Sequence, residues 1–332
     1  MKKIINSPND IVQEMLEGYV QANKDKLCFS DSSSYVIKKR SINNKVGIVI
    51  GGGSGHEPLF MGYVGKGLAD AAVIGNVFAA PTPDSILAAI KEVDCGQGVI
   101  CIFGNYSGDV LNFEMAKDLA EMENIKVENI VIKDDVASAP KEEKNNRRGI
   151  AGDVYMIKML GAASEKGYSF AECIRLGEKV SGSLYSIGVG FNPGTNPVNG
   201  EPGFYLSEGM MEFGLGIHGE PGIEQRKIAS ANDISRMLIN YLIEEITQTT
   251  LKKTAICVNG LGSITLMELY IVANNSRRFF EEFDFQVSDM LVGSFCTTQE
   301  MNGLSITALL LDKELEELLN EKAISPHFCK GV

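Results

Sequence analysis

Short apolar runs alternate with helical patterns along the first half of this chain, and that alternation limits the possible fold more than any other feature. Residues 46–50, 98–103 and 127–132 are apolar runs that predict buried strands. Residues 85–93 and 113–123 have apolar side chains at helical spacing, so a helix is predicted after each of the first two strands. Strands that alternate with helices are typical of a doubly wound, largely parallel α/β sheet.

The rest of the chain extends this pattern into a predicted second domain. Further helices are predicted at residues 11–19, 153–166, 170–180 and 234–247 and after Leu261, and further strands at residues 186–189, 254–258 and 306–311. A segment rich in Gly, Pro and Asn follows between residues 191 and 203. We therefore place a domain boundary near Gly182, which divides the 332 residues into two α/β domains, 1–182 and 183–332.

The charge balance excludes some classes of partner. The chain has 31 basic and 43 acidic residues and a net charge of −12, which argues against direct binding to nucleic acid, because that binding depends on neutralising phosphates. No apolar run approaches the roughly 18 residues of a membrane span, and no signal peptide is expected. The seven scattered cysteines predict buried thiols in a reducing cytoplasm. Asp134 and Asp135 are expected in a solvated loop.

Two of the three histidines stand in similar glycine-rich segments. His56 lies in Gly-Gly-Gly-Ser-Gly-His-Glu-Pro at residues 51–58, and His218 in Gly-Leu-Gly-Ile-His-Gly-Glu-Pro-Gly at residues 214–222. Glycine permits positive φ and close approach to the backbone, and histidine is suited to act as base or nucleophile near neutral pH. The turns with His56 and Asp109 both follow predicted strands, so they should meet at the sheet edge where ligands bind.

Other interpretations of these residues are open on sequence grounds. The segment around His56 lacks the Gly-Lys-Ser/Thr ending of a P-loop and the third glycine of a dinucleotide fingerprint. It could be a tight turn with an incidental histidine, and His218 could be a packed histidine without a chemical task. A metal site is a further alternative, although no usual metal-binding spacing supports it among His56, Glu57, Asp109 and His218.

Five motifs, in order along the chain, indicate a family. They are the segment at residues 51–58, Pro-Thr-Pro-Asp at 81–84, Asn-Tyr-Ser-Gly-Asp-Val-Leu-Asn-Phe at 105–113, Arg-Arg-Gly at 147–149 and Gly-Ile-His-Gly-Glu-Pro-Gly at 216–222. With these motifs the chain resembles, over essentially its whole length, the substrate-binding subunit (DhaK) of bacterial dihydroxyacetone kinases. The resemblance implies a homodimer of two-domain α/β subunits, with the ligand site between the domains.

The resemblance also implies a role for each candidate site residue. The histidine that matches His218 attacks the ketone carbon of dihydroxyacetone and holds the ligand as a covalent hemiaminal. His56 and Asp109 match residues that bind the substrate hydroxyls and supply a general base, and Gly53 matches one whose backbone contacts substrate. In the family, ATP or ADP and magnesium belong to a separate nucleotide-bearing subunit, so no cofactor or metal is expected on this chain.

The chain departs from the kinase pattern near the expected site. Gly104 stands where the kinases usually have a lysine, and Ala80 where they have a serine that helps to bind substrate. Asp153 replaces a small or hydroxyl residue, and residues 192–197 also differ. The missing lysine removes positive charge, on which phosphoryl transfer depends.

These departures favour the regulatory branch of the family (DhaQ) over the kinase branch. Proteins of that branch bind dihydroxyacetone and act as co-activators of the kinase operon through a TetR-type, DNA-binding regulator. We therefore expect a sensor of this type rather than an enzyme. The alternative is an active phosphotransferase, the dihydroxyacetone kinase subunit completed by a nucleotide-bearing subunit. A binding protein for another small carbonyl compound is a third hypothesis.

Overall fold

The computed structural model describes residues 3–41, 44–246 and 249–331, and its first sheet is built from the first half of the chain. Six strands form this sheet in the order β1-β2-β4-β3-β5-β6, namely β1 (Leu27–Phe29), β2 (Val36–Lys39), β3 (Gly47–Ser54), β4 (Ala71–Val77), β5 (Val99–Gly104) and β6 (Val127–Ile132). Strands β3 to β6 are parallel, and the β1–β2 pair adds an antiparallel edge.

Helices cover both faces of the first sheet. They are α1 (Ile11–Ala22), α2 (Pro83–Val93), α3 (Ser107–Met122), α4 (Asp153–Glu165) and α5 (Phe170–Ser181), with short 3-10 helices at Met61–Tyr63 and Lys141–Asn146. Helices α2 and α3 pack on one face, and α4 and α5 pack on the other. This arrangement confirms the predicted doubly wound, largely parallel sheet.

The second half of the chain forms a mixed sheet in the order β11-β10-β12-β7-β8-β9. Its strands are β7 (Leu184–Asn192), β8 (Met210–Phe213), β9 (Glu224–Lys227), β10 (Lys253–Gly260), β11 (Gln286–Gly293) and β12 (Asn302–Leu311). Only the β10–β11 pair is parallel among the strand pairs of this sheet in the described ranges. Helices α6 (Ala231–Ile246), α7 (Leu266–Glu282) and α8 (Lys313–Asn320) and the small pair β13 (Ala323–Ile324) and β14 (Cys329–Lys330) complete this half.

The core between the two sheets is built around α4. All residues of α4 from Asp153 to Ser164 are buried, because the helix packs against β3 and β5 on one side and against α8 on another. The last segment of the chain returns to the first half, where the Ser325 hydroxyl donates to the Gly62 carbonyl at 2.6 Å. The boundary near residue 182 lies two residues before β7 begins, and it stays a prediction.

The structure corrects several element bounds. Strand β3 continues through the three glycines to Ser54, whereas the sequence predicted that it ends at residue 50. Helix α3 begins at Ser107 rather than at residue 113, so Asp109 lies in its first turn. Helix α6 is described from Ala231 to Ile246, and the predicted last residue, Thr247, lies outside the described residues. The sequence did not predict helix α8 or strands β1, β2, β4, β8, β9, β11, β13 and β14.

The burial predictions for the aspartate pair are wrong, and the one for the cysteines is wrong in part. Asp134 and Asp135 are 2% and 0% exposed instead of solvated. Asp134 accepts the backbone N–H groups of residues 150 and 152, and Asp135 forms an ion pair, so both carboxylates have partners inside the protein. Cys95 and Cys329 are exposed, although four other cysteines are buried as predicted. None of the described helices is long and apolar enough to cross a membrane.

Candidate functional site

The end of β3 brings His56 into the protein. A Cβ atom on Gly52 would lie 2.4 Å from the Phe60 ring, and one on Gly53 would lie 2.8 Å from the Ala79 nitrogen. These positions therefore need glycine for close packing, while the positive φ of 105° at Gly55 turns the chain after the strand. The predicted glycine turn is thus a tightly packed strand end followed by a single left-handed residue.

His56 is held in one orientation by the backbone. Its ring is 2% exposed, and its Nδ1 atom lies 2.8 Å from the carbonyl oxygen of Thr297. Because a carbonyl oxygen only accepts, the proton of the neutral ring is on Nδ1 and the Nε2 atom faces the site. Burial lowers the pKa of His56 from 6.5 to about 3, with the nearby His218 acting in the same direction.

His218 is oriented by Glu220, a residue that the sequence analysis did not assign. The Nδ1 atom of His218 lies 3.0 Å from one carboxylate oxygen of Glu220, and its backbone N–H donates to the other at 2.9 Å. Burial alone would raise the pKa of Glu220, but its hydrogen bond with His218 and the charge of that ring hold it at about 2. The carboxylate is therefore ionised and accepts the Nδ1 proton of His218, while the Nε2 atom of that ring faces His56.

The two histidines meet through their Nε2 atoms, which are 3.0 Å apart. Both Nδ1 atoms donate to groups that only accept, so both Nε2 atoms would present lone pairs if the rings were neutral. The contact therefore places two ring nitrogens side by side, and the Glu220 carboxylate lies on the far side of the His218 ring.

A loop between β11 and β12 joins both histidine segments, and the sequence analysis missed it. Besides accepting from His56, Thr297 donates its hydroxyl to the Glu57 carbonyl at 2.8 Å. The adjacent Thr298 donates its hydroxyl to the Ile217 carbonyl, next to His218. Two neighbouring threonines in a loop are a weak sequence signal, because their contacts depend on segments more than 70 residues away: the two sequence separations are 240 and 81.

Asp109 contributes a buried carboxyl to the same region. It is 9% exposed, and its Oδ1 atom has no hydrogen-bond partner within the described ranges. Burial raises the pKa of Asp109 from 3.8 to about 7, against an opposing effect of His218. A buried polar atom without a partner costs about 1–3 kcal/mol, so a hydroxyl group bound beside it would gain a ready acceptor.

Aromatic rings enclose His218. The Tyr106 ring meets it edge-on with the ring centroids 4.5 Å apart, and the Phe78 ring does so at 5.6 Å. Phe78 has a φ of 55°, an uncommon conformation for a bulky side chain, and such strain is concentrated at functional sites. A cavity of about 130 Å³ borders His218 and Phe78 and is also lined by Thr298 and Met301. This space suits a small ligand.

The positively charged side chain nearest to Glu220, that of Arg148, already forms an ion pair within the protein. Arg148 binds Asp135 at 2.8 Å, and its guanidinium lies 3.9 Å from Glu220. Gly104 presents no side chain, and a Cβ atom there would lie 3.1 Å from the Tyr106 ring. Among the residues that the structure describes, no group of three or more His, Cys, Asp or Glu side chains is arranged to hold a metal ion.

The residues predicted from the sequence lie at different distances from one another. His56 and His218 are in direct contact, although 162 positions separate them in sequence. Asp109 lies close enough to His218 for their charges to interact. Gly53 belongs to β3, two residues before the turn that leads into His56, and it packs against Ala79.

Comparison with known proteins identifies the family of the chain. Residues 17–327 match the Dak1 domain. A Listeria innocua protein named PTS-dependent dihydroxyacetone kinase 1, dihydroxyacetone-binding subunit DhaK, is 44% identical over 95% of both chains. The L-erythrulose kinase of Pectobacterium atrosepticum is 39% identical over the whole of this chain and 57% of its own length.

A solved structure gives the same result for the fold. The dihydroxyacetone kinase operon co-activator Dha-DhaQ superposes with a TM-score of 0.90 and is 34% identical, covering 96% of this chain and 98% of its own. The sequence match and the structural match lead to one assignment: this chain belongs to the Dak1 domain family, together with the DhaK subunits.

Proposed function

We propose that this protein binds dihydroxyacetone as a reversible covalent hemiaminal on His218. The observation that supports it most directly is the series of contacts from Glu220 to His218 to His56, which fixes both Nδ1 protons and directs both Nε2 atoms toward each other. Asp109 and the backbone at Gly53 would bind the ligand hydroxyls. Relatives whose names specify dihydroxyacetone binding add independent support.

The reaction balances with the groups at this site. The Nε2 lone pair of His218 attacks the ketone carbon. A carbon–nitrogen bond forms, the π electrons of the carbonyl move to its oxygen, and that oxygen takes the proton of the Asp109 carboxyl, whose raised pKa of about 7 lets it carry a proton near neutral pH. The resulting imidazolium keeps its Nδ1 hydrogen bond to the Glu220 carboxylate, which neutralises it. Glycerol has no carbonyl group and cannot react in this way.

For the biological role we propose a regulatory sensor, a cytoplasmic homodimer that acts through a TetR-type, DNA-binding partner. The support is the charge of the site: Gly104 provides no side chain, and Arg148 is already paired with Asp135. A transferring phosphoryl group needs positive charge around it. Likeness to the co-activator structure agrees with this role.

A second candidate is the kinase subunit itself. The 44% identity to the Listeria innocua DhaK subunit favours it. In this role the chain would hold dihydroxyacetone, while ATP or ADP and magnesium would be bound by a partner subunit. Asp109 or His56 would then accept the proton of the attacking hydroxyl.

Native mass spectrometry tests ligand capture. Incubation with dihydroxyacetone should increase the mass of each chain by one ligand, and glycerol should not. The variant His218→Ala should lose the mass increase, because it lacks the nucleophile, whereas His327→Ala changes the remaining, exposed histidine and should keep it. An undiminished adduct in His218→Ala would refute the covalent assignment.

A phosphoryl-transfer assay decides between the two roles. The protein is mixed with dihydroxyacetone and a purified nucleotide-bearing kinase subunit supplied with its phosphoryl donor. A sensor should form the adduct without turnover. Turnover of roughly 1 per second or faster, an ordinary enzyme rate, would instead establish the kinase subunit.

A further inference from the structure

A loop formed by residues 194–203, hereafter the 194–203 loop, covers one side of the candidate site. It turns back on itself, and the Asn196 N–H donates to the Glu201 carbonyl at 2.9 Å. The loop also packs on the His218 turn, because a Cβ atom on the residue after His218 would lie 3.2 Å from the Gly203 carbonyl oxygen. Its backbone is therefore held in place beside the histidine that is proposed to capture the ligand.

The cavity of about 130 Å³ that borders His218 lies against this loop. Three polar residues of the loop line it: Asn196, Asn199 and Glu201. Since a water molecule occupies about 30 Å³ in the liquid, the cavity has room for about four groups of that size, which is one or two hydroxylated carbons. The residues proposed to bind the hydroxyls of dihydroxyacetone, Asp109 and Gly53, do not line it. A three-carbon ligand held by them therefore leaves this space free.

The two asparagines offer hydrogen-bond donors to the cavity. The side-chain oxygen of Asn196 accepts the Val198 N–H at 2.8 Å, and that of Asn199 accepts the Glu201 N–H at 2.9 Å. These bonds identify the oxygen of each amide, and they leave each NH₂ group without a partner among the described residues. A ligand oxygen in the cavity would supply that partner.

The lining favours hydroxyl groups over other ligand chemistries. A hydroxyl accepts and donates, so it can accept from an asparagine NH₂ group and donate to the Glu201 carboxylate, which has no ion pair within the described ranges. A phosphate would be repelled by that carboxylate, and an apolar group would leave these polar groups unpaired. Phe78 and Met301 add apolar surface for the carbon chain that bears the hydroxyls.

We propose that the 194–203 loop determines ligand specificity, because Asn196, Asn199 and Glu201 bind the terminal hydroxyl of an open-chain ketose of four or five carbons. This inference rests on the proposed function, since His218 must capture the ketone carbon before the rest of the ligand can occupy the cavity. It extends that function from a three-carbon ketone to longer polyhydroxy ketones.

Ligands that differ in one group test the proposal. The probes are dihydroxyacetone, the four-carbon ketose erythrulose, and a deoxy analogue of erythrulose in which a hydrogen replaces the terminal hydroxyl. Native mass spectrometry at increasing ligand concentration measures the adduct fraction and gives an apparent Kd for each ketone. We expect erythrulose to bind at least about threefold more tightly than its deoxy analogue, because the terminal hydroxyl gains hydrogen bonds in the cavity.

The variant Asn196→Asp/Asn199→Asp removes the two donors and keeps the side-chain oxygens that accept the loop N–H groups. It should lose most of the preference for erythrulose over the deoxy analogue. A hydroxyl has one proton, which the Glu201 carboxylate already accepts, so the new acceptors find no donor. The control Asn9→Asp/Asn274→Asp makes the same change at two exposed positions outside the cavity and should keep the preference. Thermal midpoints and the two single variants verify that the loop change does not unfold the protein.

Equal binding of erythrulose and its deoxy analogue by the wild type would overturn the proposal, and so would an unchanged preference in the folded double variant. Tighter binding of dihydroxyacetone phosphate than of dihydroxyacetone would indicate an anion site and would also overturn it. An adduct with dihydroxyacetone but none with erythrulose would refute this inference and leave the proposed function intact. If no ketone forms an adduct, the proposed function itself is refuted.

Discussion

The orientation of the His218 ring depends on the carboxylate of Glu220, two residues further along the chain. Their contact at 3.0 Å determines which ring nitrogen has the proton and which is free for chemistry. His56 is fixed in the same way by the Thr297 carbonyl. At the scale of single residues, the site is thus a pair of oriented rings whose partners are a carboxylate and a backbone carbonyl.

The variant Glu220→Gln tests the orienting role. Glutamine keeps an oxygen that can accept the Nδ1 proton, but it cannot balance the positive charge that His218 gains in the adduct. We expect the adduct to form about 10- to 100-fold more slowly, as in other sites that lose such a partner. Rapid mixing with dihydroxyacetone followed by mass spectrometry measures the rate. A wild-type rate would show that Glu220 only supports the loop.

The variant Asp109→Asn tests the cost of the buried carboxyl. Asp109 ionises near pH 3.8 when unfolded and near pH 7 when folded, as its pKa is about 7. Between these values the folded protein holds a proton that the unfolded chain has released, so stability falls as the pH rises from about 4 to about 7 and stays low above it. Asparagine does not ionise, so the variant should be more stable at pH 8 by about 2–4 kcal/mol and equal near pH 4. Urea unfolding at both values measures this. Equal stability at pH 8 would contradict the burial argument.

At the scale of elements, the ends of β3 and β5 position two of the candidate site residues, His56 and Asp109. Strand β3 ends at Ser54, just before the segment with His56. Strand β5 ends at Gly104, just before the segment with Asp109. The sequence predicted both strands but ended β3 too early, because glycine is a poor strand former in general. Here the glycines stay in the strand because the Phe60 ring and the Ala79 backbone pack directly on them. That packing is a tertiary effect that no local pattern contains.

The variant Gly52→Ala tests this packing. The added Cβ would lie 2.4 Å from the Phe60 ring, so the ring must move, and we expect a loss of about 1–3 kcal/mol in unfolding free energy. Gly18→Ala is the matched control. Nothing lies within 4 Å of its Cβ position in α1, so alanine should stabilise that helix by about 0.5–1 kcal/mol. Denaturant unfolding of both variants measures the difference, and equal effects would be inconsistent with a packing role for Gly52.

At the scale of the whole molecule, the candidate site forms because the segments of His56 and His218, distant in sequence, are held in contact. Thr297 and Thr298, on the loop between β11 and β12, bind the segments of His56 and His218. Helix α4 fills the space between the two sheets and is buried throughout. The relative position of the two histidines therefore depends on the packing of both halves.

The double variant Gly104→Lys/Ala80→Ser tests why the molecule would act as a sensor. If the missing lysine and serine are what prevents phosphoryl transfer, turnover with a nucleotide-bearing subunit should increase by at least about tenfold. The reason is that positive charge beside a transferring phosphoryl group stabilises the transition state. The lysine also needs a shift of the Tyr106 ring by a few tenths of an ångström, because its Cβ would lie 3.1 Å away. Ala80→Ser alone is the control for the polar contact. Unchanged turnover in the double variant would show that phosphoryl transfer is prevented by poor docking of the nucleotide-bearing subunit instead.

The sequence by itself determined the parallel first sheet, most of its helices, and the two histidines, because apolar periodicity and rare motif residues are local properties of the chain. Only the tertiary structure decided that the Nε2 atoms of His56 and His218 meet, that Glu220 and Thr297 orient the two rings, and that Asp134 and Asp135 are buried. Except for the contact of Glu220 with His218, which are two residues apart, these features depend on contacts between segments separated in sequence. Burial and hydrogen bonding change the pKa and the orientation of a side chain, and neither effect is visible in the local sequence pattern.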